Sequence, residues 1–230
     1  MIDIHSHLLP NVDDGSDDVA ISLELLEQAC QQGVTDMILT PHFIGGAKNE
    51  INLFEKFNLF KEQVSKSGIN INLYLGREVY IDKDYKNIIK QEPFVSLNGT
   101  RYVLIEFDDD KVCDILNVVY ELVRIGYVPI VAHVERYTYL NLDDIYDIKD
   151  TGGLIQVNAL DIVGRYSSKR KKFINTLLKH CLVDFVSSDA HSGREYVMKK
   201  ACEKVLKKHG EDAVSAVFYD NAQNIIKGQS

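Results

Sequence analysis

Thiolate chemistry has little footing in this chain. The four cysteines, Cys30, Cys113, Cys181 and Cys202, include no Cys-x-x-Cys pair, so neither a zinc knuckle nor a disulfide framework is indicated, and a reducing compartment suits them. Cationic surplus is missing as well. A formal net charge of −8 gives no general footing for nucleic acid or an anionic membrane, both of which demand a broad basic surface. No apolar run approaches the ~18 residues needed to span a bilayer. The opening Met1-Ile2-Asp3-Ile4-His5 leads into a strand without the basic and apolar regions of a secretory signal. These absences predict a cytoplasmic protein that does not insert into membranes. Repeats, low-complexity tracts and linkers rich in Pro, Gly or Ser are also lacking, so residues 1–230 are expected to form a single domain.

Seven apolar runs alternate with amphipathic stretches. The runs are Ile2 to His5, Asp36 to Thr40, Ile69 to Leu75, Tyr102 to Phe107, Val128 to His133, Leu154 to Asn158 and Val183 to Ser187. Between them, Val19 to Gln32, Phe54 to Lys66, Cys113 to Ile125 and Lys171 to His180 read as helices, with Gly33, Gly68 and Gly126 placed where helices stop. Such alternation means a mostly parallel sheet flanked by helices. A strand about every 30 residues matches one βα unit. Seven units favour an α/β barrel with one unit missing over an open sheet, and in either case ligands bind at the carboxyl ends of the strands.

The chemistry gathers at those ends. His5 and His7 are two apart on one strand end, so their side chains point the same way and can grip one ion. A single His-x-His is common, but Asp189 and His191 repeat the spacing after the last strand. His42 follows the second strand, Glu78 and Glu106 end the third and fourth, and His133 ends the fifth; Asp14 lies in Asp13-Asp14-Gly15, which alone could be an ordinary turn. The sixth strand departs, ending in Gln156-Val157-Asn158, polar but a poor ligand set. Nine candidate ligands, His5, His7, Asp14, His42, Glu78, Glu106, His133, Asp189 and His191, exceed the needs of one tetrahedral zinc and suit two or three ions with bridging carboxylates. Without thiolates, and with this carboxylate share, the set favours Mn, Fe or Zn in mixed N/O coordination. Three divalent ions against four carboxylates leave positive charge that suits a phosphate dianion. Arg136 and Arg194 each lie three residues past a candidate ligand, and a guanidinium grips phosphate bidentately. The run Ser168-Lys169-Arg170-Lys171-Lys172 reads as the solvated start of a helix, with docking of an acidic partner as the alternative.

Met1-Ile-Asp-Ile-His-Ser-His7, Val12-Asp-Asp-Gly15, Thr40-Pro-His42, Ser96 to Glu106, Ile130-Val-Ala-His-Val-Glu-Arg136 and Ser188-Asp-Ala-His191, in this order, resemble the PHP (polymerase and histidinol phosphatase) superfamily. Within it the chain is similar to the bacterial manganese-dependent protein-tyrosine phosphatases of the CpsB/YwqE type. The resemblance runs over essentially the whole chain. It implies a distorted seven-stranded (β/α) barrel of TIM-like type. One ion would be held by His5, His7, Glu78 and Asp189, a second by Glu78, Glu106 and His133, and a third by Asp14, His42 and His191. Arg136 would hold phosphate; Arg194 is the weaker match, because the loop after His191 is short. Mn2+ is the cofactor so implied, and the substrate implied is the phosphotyrosine-bearing tail of a tyrosine autokinase that governs capsular or exopolysaccharide synthesis.

The activity expected is hydrolysis of phosphotyrosine by a metal-bridged hydroxide. Cysteine catalysis is disfavoured, since the residues six beyond the cysteines are Asp36, Val119, Ser187 and Lys208 and none completes a Cys-x5-Arg loop. Two alternatives remain: a small-molecule phosphatase such as histidinol-phosphate phosphatase, and a non-catalytic metal-stabilised interaction module. An amidohydrolase would place a bridging lysine where Glu78 and Glu106 stand. The sequence does not oppose a homo-oligomer.

Overall fold

The computed structural model describes residues 1–43, 52–82, 89 and 95–228. Among the described residues, nine parallel strands form a curled sheet: β1 (Ile2–Ser6), β2 (Asp36–Leu39), β3 (His42–Phe43), β4 (Asn72–Leu75), β5 (Glu78–Tyr80), β6 (Tyr102–Glu106), β7 (Val128–Val131), β8 (Leu154–Asn158) and β9 (Phe185–Ser187). They pair as β1-β2-β4 and β3-β5-β6-β7-β8-β9. β3 continues β2 after a break at Thr40-Pro41, and β5 continues β4 after Gly76-Arg77. Seven βα units therefore account for nine strands. A parallel bridge from Ser6 to Ala190, with Asp189 N–H donating to the His5 carbonyl and His7 N–H to the Ala190 carbonyl, both at 3.0 Å, brings the last unit beside the first. The expected α/β barrel architecture is the one found.

Alternation along the strands sorts the core into two compartments. Ile2, Ile4, Ile38, Leu104, Ile130 and Phe185 form one cluster with Leu97, Ala222 and Ile225. Their neighbours Met37, Leu39, Val103, Ile105, Val131 and Val186 belong to the other, packed against the surrounding helices. A period of two sends successive side chains to opposite faces, so the first cluster fills the interior of the curled sheet and the second its outside.

The same alternation aims the polar strand ends inward. On β8, Leu154 packs with the interior cluster while Ile155 and Val157 face the helices; Gln156 and Asn158 thus share the inner face, both buried. On β6, Leu104 is inside and Ile105 outside, which directs Glu106 inward. Strict alternation from Ile4 would send His5 outward. The β1 register shifts between Asp3 and Ser6, and His5 joins the inner group.

Helices run from Val19 to Gln31, Leu53 to Ser67, Ile115 to Arg124, Leu142 to Asp150, Ser168 to Lys179 and Met198 to His209. Asp18 caps the first through the Ile21 N–H, Asp114 the third, and Asn141 with Asp144 forms a capping box on the fourth. Gly68 ends the second in a left-handed conformation. Close approach requires glycine at several places, two of them near the strand ends: a Cβ on Gly76 would lie 2.6 Å from Leu97, and one on Gly15 would lie 2.0 Å from the His7 carbonyl. Gly15 thereby presses the Asp13-Asp14 loop onto β1. No helix among the described residues is long and apolar enough to cross a membrane.

Candidate metal centre

All nine candidate ligands converge at the carboxyl ends of the strands. His5 Nε2 and His7 Nε2 lie 3.1 Å apart. Glu78 Oε2 is 3.2 Å from the first and 3.0 Å from the second, and Asp189 Oδ1 is 3.6 Å from both. His133 Nε2 lies 2.9 Å from Glu78 Oε1 and 3.3 Å from Glu106 Oε1. His42 Nδ1 lies 3.2 Å from Glu78 and 3.5 Å from Glu106. Asp14 Oδ1 is 3.5 Å from His42 Nε2 and 3.7 Å from His191 Nε2. Among the described residues, three groups have donor atoms close enough to share an ion: His5, His7 and Asp189; His42, Glu78 and Glu106; and His7, Asp14, His42 and His191.

The surrounding hydrogen bonds decide which ring nitrogens face this cluster. Gln156 Oε1 accepts from the His133 backbone N–H at 2.8 Å, while Gln156 Nε2 donates to Asn158 Oδ1 at 2.9 Å. The amide orientation is therefore fixed, and His5 Nδ1, 3.2 Å from Gln156 Oε1, must carry the hydrogen. His7 Nδ1 donates to Asp13 Oδ2 at 2.7 Å. Each neutral ring then presents an Nε2 lone pair to the other and to Glu78. Facing acceptors repel unless a cation or a proton lies between them. Among the described residues, the buried Nδ1 atoms of His42 and His133 also find no hydrogen-bond partner. Imidazole and carboxylate donors arranged in this way fit divalent ions with mixed N/O ligation.

Protonation in the metal-free site points the same way. Burial disfavours a charge on His7, but Asp13 and Glu78 outweigh it and raise its pKa well above the usual histidine value. Burial likewise opposes ionisation of Glu78, yet His5 and His133 hold it well below the carboxylate range. Asp189 is lowered too, with His5 and Arg136 overcoming burial. His133 rises to about 9: burial and Arg136 work against its proton, and Glu106 and Glu78 prevail. Protons sit where metal ions would compensate the same carboxylates.

Backbone strain coincides with the cluster. His133 (φ 32°) and Asp189 (φ 50°) both occupy the left-handed region, which costs non-glycine residues energy and persists where neighbours impose it. Asp3, fully buried, provides part of that restraint. Its carboxylate accepts from the Ser188 N–H at 3.0 Å and the Tyr196 hydroxyl at 2.7 Å, tying β1 to the segment that carries Asp189.

Arg136 closes the short turn Val134–Arg136 directly after His133. Its guanidinium pairs with Asp189 Oδ2 and lies 4.0 Å from Glu106. Arg194 Nη1 reaches the same Asp189 oxygen at 3.3 Å, so the short loop after His191 still delivers it to the cluster. Gln156 and Asn158 escape a reading of the sequence alone. Asn158 Nδ2 donates to Asp189 Oδ2 at 2.9 Å, and with Gln156 it turns the sixth strand end, poor in ligands, into the support for its neighbours. Asp13 is visible in the sequence only as part of a turn; its partner His7, six residues earlier, is the one available signal. His180 and His209 lie outside the cluster, beside Tyr146 and Asn175.

The family model described as capsular polysaccharide synthesis, CpsB/CapC, matches residues 1–227. Tyrosine-protein phosphatase YwqE of Bacillus subtilis is 31% identical over 237 residues, covering 100% of this chain and 93% of its own. Tyrosine-protein phosphatase CpsB of Streptococcus agalactiae is 31% identical over 239 residues, covering 99% and 98%. Solved structures of YwqE from B. subtilis and CpsB from Streptococcus pneumoniae, described as metal-dependent tyrosine phosphatases, include a chain that superposes with a TM-score of 0.91 at 30% identity, covering 100% of this chain and 96% of that one. Histidinol phosphate phosphatase from Lactococcus lactis, at a TM-score of 0.60 and 16% identity over 91% of this chain and 93% of that one, shares the fold. From its first strand to its last helix, the chain belongs to the CpsB/CapC family.

Proposed function

We propose that this chain is a single-domain, cytoplasmic, manganese-dependent phosphatase that hydrolyses phosphotyrosine on the tail of a tyrosine autokinase. The observation that carries the reading is the pair of Nε2 lone pairs on His5 and His7, 3.1 Å apart and held in that orientation by Gln156 and Asp13. The family supports the reaction, and the donor set supports manganese.

In this reading His5, His7, Glu78 and Asp189, then Glu78, Glu106 and His133, then Asp14, His42 and His191 would hold the ions. Bound divalent ions lower the pKa of water and neutralise charge on a phosphoryl group. The protein's own residues do the positioning. Gln156 and Asp13 fix the histidine tautomers. Asn158 steadies Asp189, and the Arg136 guanidinium, paired with that carboxylate, stands beside the cluster. From there Arg136 binds phosphate oxygens and stabilises the charge of the transferring group, with Arg194 as a second donor. A phenolate, with a reference pKa of about 10, needs less proton donation than an alkoxide on leaving.

The deciding experiment compares phosphotyrosyl peptide, phosphoseryl peptide and histidinol phosphate after manganese loading, with chelated and thiol-alkylated controls. Turnover of the phosphotyrosyl peptide should dominate, vanish with chelator, return with manganese and survive alkylation. Full activity in metal-free protein, or preference for histidinol phosphate, would reject the proposal.

A further inference from the structure

Ten of the chain's 26 lysines and arginines lie on just two helices, Ser168–Lys179 and Met198–His209, against a single acid, Glu203. In a protein of net charge −8 that segregation builds a local field opposite in sign to the rest of the surface. The two helices enclose a cleft of about 370 Å³ outside the histidine and carboxylate cluster. Lys171, Lys204, Lys207 and Lys208 surround it, and its floor is apolar, made by Ile162, Leu178 and Val205.

The cations are largely uncompensated. Lys204 Nζ donates to the Val163 carbonyl at 2.8 Å, and among the described residues Lys171, Lys207 and Lys208 form no ion pair. Burial and the neighbouring Lys171, Arg165 and Lys200 lower the pKa of Lys204, as happens when cations crowd together without an anion. A solvated helix face would interleave both signs; here one sign lines a concave surface with an apolar base.

Position links the cleft to the chemistry. Ile162 lies four residues beyond Asn158, which supports Asp189, a separation of roughly 6 Å along a helix at 1.5 Å per residue. A peptide extending by about 3.3 Å per residue spans from one to the other within a few residues.

We infer that the cleft between these two helices is a docking site for the substrate protein, taking an aromatic side chain on its apolar floor and flanking acidic or phosphorylated groups on its lysines. The inference rests on the proposed phosphotyrosine activity and adds to it. An acidic, tyrosine-bearing segment is the occupant whose two halves match floor and rim. Substrate selection then comes partly from charge outside the site, and affinity falls with ionic strength.

The test uses the full-length, manganese-loaded protein and two charge variants, Lys171→Glu/Lys207→Glu/Lys208→Glu and the milder Lys207→Gln/Lys208→Gln. For an acidic phosphotyrosyl peptide with a second tyrosine, KM should rise about tenfold in the first and about threefold in the second, as expected for losing several exposed charge contacts. Turnover of para-nitrophenyl phosphate should stay within about twofold in both, since that substrate is too small to reach the cleft. Unchanged peptide KM in both variants, or equal losses on both substrates, overturns the inference. Fluorescence anisotropy with the unphosphorylated peptide reads docking without catalysis, so the site is tested even if the phosphatase activity fails: weaker binding to the variants supports it, and equal binding rejects it. Variant-sensitive binding to phosphatidylglycerol vesicles, with peptide binding unaffected, would reassign the face to a membrane surface and overturn the proposal.

Discussion

The two sides of the histidine and carboxylate cluster are built differently. The inner side, His5, His7, Glu78, His133 and Asp189, is at most 2% exposed, and hydrogen bonds with Gln156, Asn158 and Asp13 hold four of its members, all but Glu78. On the outer side the Asp14 side chain is 70% exposed and that of His42 24%, and among the described residues no hydrogen bond orients the Asp14 carboxylate. Ions bind more tightly to preorganised donors, whose orientation is settled before the ion arrives. The inner side should thus retain its ions, and the outer side should exchange its ion with solution.

Substitution on the two sides provides the sharpest contrast. His5→Ala should lower kcat/KM by about three orders of magnitude, roughly 4 kcal/mol, as expected when a group acting on the transition state is lost. Added manganese should not restore it. Asp14→Ala should lose about 10- to 100-fold, the range for weakening one metal interaction, and recover at millimolar manganese. Metal analysis beside steady-state kinetics checks both; the same rescue in the two variants would erase the distinction between inner and outer sides.

Arg136 tests whether the inner side binds phosphate apart from its ions. Its guanidinium contacts Asp189 yet offers no lone pair to a metal. Arg136→Ala should keep its metal content and lose about two to three orders of magnitude in kcat/KM, on the order of 3 to 4 kcal/mol. Arg136→Lys should recover part of that, because a point charge cannot reproduce the fork. Loss of metal from the alanine variant would make the role of Arg136 structural.

The two sides also differ in how far the sequence reveals them. Alternating apolar runs locate all seven units, because a buried strand or an amphipathic helix leaves a periodic trace in its own residues. The two-residue β3 and three-residue β5 leave none; they exist because the chain kinks at Pro41 and Gly76 and then pairs again. Ligand-type residues at strand ends are likewise visible, since His5, His133 and Asp189 declare their chemistry locally. Gln156 and Asn158 do not. Their meaning comes from β8 lying between β7 and β9, and register across strands is a property of pairing that no single run encodes.

That hidden support gives a smaller, specific prediction. Gln156→Leu removes the acceptor that fixes His5 and satisfies the His133 N–H but leaves every candidate ligand in place. Metal affinity should weaken about 10-fold, the lower end of the range for groups behind metal ligands, and His5 should become free to adopt the other tautomer. Titration of metal-free protein with manganese by calorimetry reads the change; unaltered affinity would show that the inner side owes nothing to this hydrogen bond.

Acidity should separate metal-free from metal-loaded protein by the smallest of these effects. In the metal-free state burial and Arg136 oppose a proton on His133, Glu106 and Glu78 overcome them, and the folded pKa reaches about 9 against an ordinary histidine value of 6.5. A histidine whose pKa is raised by folding contributes stability that is present below its unfolded pKa and lost as pH rises through the folded value. His7 shifts in the same direction. His191, nearer the outer side, is lowered to about 4 by burial and by His7, so it costs stability on the acid side, as pH falls from about 6.5 toward 4. Metal-free protein should accordingly be most stable near pH ~6.5, with Tm declining as pH is raised to about 9.5. Loading with manganese should flatten that alkaline decline, since ions in place of protons compensate Glu78 and Glu106 throughout this range. Scanning calorimetry at about pH 6.5, 8 and 9.5, with chelator and with manganese, gives the two slopes; parallel slopes would mean that the protons on His133 and His7 do not occupy the place of the ions.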